Sequence, residues 1–185
     1  IGAAERARRE GPRFTIASTA SSRNLTGKGA GSAPSRREVP VSADNLSTFD
    51  EFIRHWAHER PATIALREGD LVQSYAALED NSARICGGLA ALGLSKGDRV
   101  AWLGKNSERY FTLFFAAARM GVVMVPVGWR LAPPEWAYII NDTAAQILFL
   151  GDGFDDAPTA LAGQVPGVRH MMTADATRAW MPAAR

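Results

Sequence analysis

Several short stretches carry residue types that do chemistry. Gly104-Lys105-Asn106 follows the apolar run Arg99–Leu103 and precedes a helix-patterned stretch. In open parallel sheets such a strand-to-helix turn is a ligand position, and a helix N-terminus attracts anions. A single glycine serves an ordinary turn and cap equally well. His55 and His58 are spaced to share one helical face as metal ligands, but no Cys, Asp or Glu set completes a site. His170 lies in an expected strand, without a Ser or Cys nucleophile motif to partner it. Asp152, Asp155 and Asp156 crowd a glycine-containing loop that lacks the regular offsets and closing Glu of a calcium loop. The run GKGAGS, residues 27–32, imitates a phosphate loop without its preceding strand or full spacing. Cys86 sits in an amphipathic stretch and is expected as a small buried filler. No catalytic, cofactor-binding or metal residue is therefore assigned.

The elements that would position these residues are legible from Thr48 onward. Thr48 and Glu51 have capping-box spacing, and Phe49, Phe52, Ile53 and Trp56 then form one apolar helical face that stops at Pro61. TIALREGDLVQSY reads as a hairpin turning at Glu68-Gly69-Asp70. Ser74 caps the next helix, whose stripe is Leu78, Ile85, Leu89 and Leu92 and whose stop is Gly93. Strands at Arg99–Leu103, Val122–Pro126, Gln146–Leu150 and Val168–Met172 alternate with helices at about 107–120, Pro134–Asp142 and Asp156–Gln164. Short apolar strands alternating with helices specify an α/β fold: a partial doubly wound, mainly parallel sheet with helices on both faces, plus a small N-terminal hairpin. Trp136 is expected to be more buried than Trp129, because Ile139 and Ile140 share its helix face.

Charge and composition exclude some classes of function. The pI of about 9.0 suggests a nucleic-acid partner. However, residues 1–44 hold 8 Lys/Arg against 4 Asp/Glu, a net of +4 within a whole-chain net of +2, so residues 45–185 carry −2. The part with core-forming pattern is slightly acidic, which argues against nucleic acid. No run reaches the roughly 18 to 20 consecutive apolar residues of a membrane span. The single cysteine fits a reducing, cytoplasmic compartment. Both ends read as limits of a fragment.

Taken in order, three stretches resemble the N-terminal part of the adenylate-forming, AMP-binding superfamily: TFDEFIRHWAHERPATIAL, SYAALEDNSARICGGLAALGLSKGDRVAWLGKNSERYFTLFFAAARMGVVMVPV and WRLAPPEWAYIINDTAAQILFL. The last is most similar to fatty-acyl-CoA ligases. The likeness covers roughly residues 48–150 and rests on the order and spacing of structural motifs. It departs at Ala77, where many relatives carry the Glu that completes a capping box at Ser74. The resemblance implies a parent enzyme that activates a small-molecule carboxylic acid, a fatty acid, with ATP and Mg²⁺, then transfers it to coenzyme A. The family's phosphate loop, its aromatic-Thr-Glu motif, its ribose-binding Asp and its lid Lys are absent from these residues. The fragment is thus expected to bind none of those cofactors and to be inactive alone. The alternatives are a truncated non-catalytic interaction or regulatory module, and a fragment of a peptide-synthetase or luciferase-like adenylation enzyme.

Residues 1–44 are rich in Arg, Ser, Gly and Ala with few large apolar residues, so ordering them would bury too little surface to offset the lost entropy. We expect a disordered, dispensable leader. Limited proteolysis should trim the chain to near Asn45 while the remainder resists; a leader as durable as the Val100–Leu150 core would contradict the expectation.

Overall fold

The computed structural model describes residues 46–180, so the expectations for the leader, including GKGAGS, lie outside the described residues. Local sequence signals account for the element ends. Helix α1 (Phe49–Glu59) opens with the full capping box: Glu51 N donates to Thr48 Oγ1 at 3.1 Å, and Thr48 N donates to Glu51 Oε2 at 3.0 Å. Strands β1 (Ile64–Glu68) and β2 (Leu71–Ser74) form the antiparallel hairpin, with Gly69 at φ 57 in its turn. Ser74 caps α2 (Tyr75–Ala91) by accepting from Ala77 N at 3.2 Å. As Ala77 requires, its side chain returns no bond to the cap.

The second half is the strand-helix alternation. Strand β3 (Arg99–Leu103) leads to α3 (Glu108–Met120), capped by Ser107 and ended by Gly121 in the left-handed region. Strand β4 (Val123–Val127) starts one residue later than expected, because Val122 N closes the helix end by donating to Ala117 O at 2.9 Å. Helix α4 (Pro133–Asp142) precedes β5 (Ile147–Leu150). The expected helix over Asp156–Gln164 shortens to one turn, α5 (Ala157–Ala160), since Asp156 makes no capping bond and Gly163 takes φ 71. Strand β6 is confined to His170–Met172, because a turn donates Val168 N to Val165 O at 3.1 Å. A helix that the sequence pattern did not reveal, α6 (Ala174–Trp180), closes the described chain.

The four longer-range strands form one parallel sheet in the order β4-β3-β5-β6. Alternation along β3 assigns its two faces. Val100 and Trp102 join α2 and α3 residues such as Leu89 and Leu113, whereas Ala101 and Leu103 join Ile140 of α4 and Ala157 of α5. The sheet is therefore covered on both sides, as a parallel sheet must be. A third cluster, including Ile53, Leu66, Tyr75, Leu78 and Phe115, packs α1 and the hairpin onto α2 and α3.

One cation ties this helical layer together. Arg119 near the end of α3 donates Nε to Asp50 of α1 at 2.6 Å and Nη2 to Glu79 of α2 at 2.7 Å. The three side chains are 18 to 30% exposed, between a surface pair and a buried one. Replacing Arg119 with Met should leave two carboxylates facing each other and cost about 2 kcal/mol of unfolding free energy. The exposed Arg84–Asp80 pair on α2 is the control: Arg84→Met should change stability by no more than about 0.5 kcal/mol. Urea unfolding of both variants checks this, and equal midpoints would refute the role given to Arg119.

Candidate functional site

A crevice of the kind expected from the sequence lies where β3 and β5 run side by side and their outgoing helices diverge, α3 to one face and α5 to the other. Open parallel sheets bind ligands at such a point, outside the carboxyl ends of the strands. Here the two backbones touch. A Cβ built on Gly104 would stand 2.8 Å from Gly151 Cα, and one built on Gly151 would stand 3.1 Å from Gly104 Cα. Gly151 N also donates to Leu103 O at 2.9 Å.

The Trp102 indole fills the space above this contact. It is 2% exposed, donates Nε1 to Lys105 O at 3.3 Å, and meets the Tyr110 ring edge-on at 5.9 Å. The remaining gap, bordered by Ser107, Arg109, Asp152, Ala174 and Thr177, has a volume of about 10 Å³, room for at most a single water. The turn at Gly104-Lys105-Asn106 leads into a side-chain cap, in which Ser107 Oγ accepts from Tyr110 N at 3.2 Å. Lys105 Nζ lies 5.2 Å from the Trp129 ring, which also carries the Arg130 guanidinium at 3.9 Å. These cation–π contacts join the loops after β3 and β4. Trp129 and Trp136 are both half-buried. Trp136 Nε1 donates to Gly128 O at 3.1 Å, which draws both indoles onto one loop.

The remaining chemically capable residues do not converge. The His55 ring packs on Trp56 at 4.9 Å, while exposed His58 pairs with Glu59 at 3.1 Å. His170 is exposed on the edge strand β6, far in topology from both. Asp152 pairs with Arg178, and Asp155 and Asp156 are exposed. Among the described residues no group of three His, Cys, Asp or Glu could hold a metal ion. Cys86 is half-buried rather than fully enclosed, and burial pushes its thiol above the usual range, away from a reactive thiolate. Asp98 is held below the usual carboxylate range by the backbone N–H of Ser95 and by Gln146, a loop brace at the opposite end of the sheet.

One buried polar pair had no sequence signal. Gln73 of β2 donates its Nε2 to Glu108 Oε1 at the start of α3. Burial pushes the Glu108 carboxyl above its usual range, and the nearby Glu68 carboxylate adds to this; Arg109 and Thr112 oppose it.

The sequence profile of the AMP-binding enzyme family matches residues 53–182. The fatty acid–[acyl-carrier-protein] ligase ScoC of Streptomyces coeruleorubidus is 45% identical over 100 residues, which are 54% of this chain and 19% of that protein. Feruloyl-CoA synthase of an Amycolatopsis species is 37% identical over 106 residues, covering 57% of this chain and 22% of the relative. A solved Mycobacterium tuberculosis fatty acyl CoA synthetase superposes with TM-score 0.64 at 30% identity, over 74% of this chain and 28% of the other. The chain thus spans about a fifth of the length of the curated relatives it matches.

The glycine contact supplies its own test. Gly104→Ala should cost about 2 kcal/mol, since rigid backbone rather than a flexible side chain meets the new methyl. Gly87→Ala, inside α2 with nothing within 4 Å, should instead gain up to about 1 kcal/mol. Denaturant midpoints that move in the same direction would contradict the close approach.

Proposed function

The chain belongs to the AMP-binding enzyme family, and on that premise we propose that it is the N-terminal part of an ATP-dependent acyl-CoA ligase, acting in the cytoplasm on a fatty carboxylate. The observation that carries this reading is the 45% identity over 100 residues to a fatty acid ligase. In the proposed reaction, ATP cleavage to AMP and pyrophosphate drives thioester formation with coenzyme A. The ScoC name supports a second acceptor, the thiol of an acyl carrier protein.

The crevice at the carboxyl end of the sheet does not fit ATP or Mg²⁺. Between β3 and β5 it is filled by Trp102, and Asp152 at its rim is paired with Arg178. This segment's part in the proposed enzyme is structural: it supplies strands, packing helices and the loops after β3 and β4. Alone it is inactive, because each oriented donor of a phosphate site is worth about 3 kcal/mol of transition-state stabilisation and several would be missing.

Pyrophosphate release in the presence of ATP, Mg²⁺, a panel of fatty acids and either coenzyme A or an acyl carrier protein is the direct assay. The chain alone should stay at background. The coding sequence carried in frame past Arg185 should encode a Gly/Ser/Thr-rich loop ending in Pro-Lys-Gly, and its product should turn over. Release by the chain alone would overturn the inactivity, and a stop codon directly after Arg185 would favour a non-catalytic module.

A further inference from the structure

The β1–β2 hairpin meets the N-terminus of α3 through two side chains withdrawn from solvent: Gln73 is 0% exposed and Glu108 is 3% exposed. Gln73 Nε2 donates to Glu108 Oε1. Thr112 Oγ1 lies 3.3 Å from the same oxygen, but also 3.0 Å from the Glu108 carbonyl, and its one proton can serve only one of them. Among the described residues two buried side-chain oxygens have no partner, Gln73 Oε1 and Glu108 Oε2, and both belong to this facing pair. Orphaned buried acceptors are rare and destabilising. An ionised carboxylate accepts only, so it cannot satisfy the amide oxygen. A protonated carboxyl both donates and accepts, and can match a primary amide with two antiparallel hydrogen bonds.

We propose that Gln73 and Glu108 form a neutral acid–amide pair, in which Glu108 Oε2 keeps its proton in the folded chain and donates it to Gln73 Oε1, latching the hairpin to α3 in a pH-dependent way. This pairing accounts for both orphaned oxygens with one proton. It stands apart from the proposed reaction and needs no ligand.

The surroundings decide which protonation state wins. Glu68 of β1 accepts from Glu108 N at 2.8 Å, so a second carboxylate already occupies the helix N-terminus and opposes another negative charge. Arg109 of α3 and the helix dipole favour ionisation. Arg84 of α2 is paired with Asp80 at 2.5 Å. It lines, with Asn81, Gly88 and Trp180 of α6, a cavity of about 240 Å³ that borders Glu108 and gives a departing proton a route outward. Burial is the largest influence and favours the neutral acid. A carboxyl whose folded pKa is raised contributes stability that is fully present below its unfolded pKa, about 4.3, and lost as pH rises through the folded value. The latch therefore weakens on the alkaline side, and with it the Glu68 clamp beside the Gly104–Ser107 turn.

Glu108→Gln is the decisive variant, because an amide–amide pair makes both hydrogen bonds at every pH. Thermal unfolding of the full chain should show the wild type losing ground to E108Q as pH rises above about 4.3, by on the order of 5 °C in total. Parallel curves for the two proteins would overturn the proposal. Should E108Q fail to fold, ¹³C-glutamate NMR of the unmodified chain reads the same state. One side-chain carboxyl carbon should titrate at higher pH than the ordinary glutamates, which ionise near about pH 4.3. Every glutamate titrating together in that ordinary range would equally defeat the pair.

Discussion

Strand β3 is the constraint from which the rest of the fold follows. It is hydrogen-bonded along both edges to parallel partners, β4 and β5, and the run Val100–Leu103 is buried on both faces. Parallel neighbours cannot be joined by tight turns, so each connection must leave the sheet and return over one of its faces. Those returns, α3 on one side and α4 with α5 on the other, provide the two apolar layers that β3 requires. Trp102 contributes the largest fully buried side chain to one of these layers, and Leu103 sits in the other.

Outside the sheet the cohesion is partly polar. Helices α1, α2 and α3 share an aromatic and aliphatic cluster, but their relative placement is also tied by Arg119 to one carboxylate from each neighbouring helix. Such a contact adds directionality that apolar packing lacks, because a guanidinium presents its donors in a fixed fork. The Gln73–Glu108 pair has the same character at the other end of α3, between the hairpin and the helix start. The two polar anchors bracket α3, the helix that covers β3.

This architecture bears on the functional reading through its carboxyl edge. In a doubly wound sheet the divergence of helices opens a crevice, yet here the Gly104–Gly151 contact and the Trp102 indole close it. The loops after β3 and β4 are instead joined by Lys105 and Arg130 on Trp129. The carboxyl edge of this sheet is thus a packed wall of backbone and indole rather than an open cleft.

The sequence by itself determined the features whose causes lie within a few residues. The Thr48 and Ser74 caps, the Gly69 and Gly121 turns, the β3 strand and the alternation that implies a covered parallel sheet all depend on neighbours one to four positions away. The order of motifs along the chain was enough to indicate the family. Short or interrupted elements read less well. The α5 turn and β6 lost length to a missing cap and a turn at Val165–Val168, and α6 carries too few residues to show a period. Only the tertiary structure decided which distant groups meet: Arg119 with Asp50 at a separation of 69 residues, Gln73 with Glu108 at 35, and Gly104 with Gly151 across the sheet. Those contacts depend on strand order and helix placement, which hydrophobic packing of the whole chain sets and no local spacing encodes.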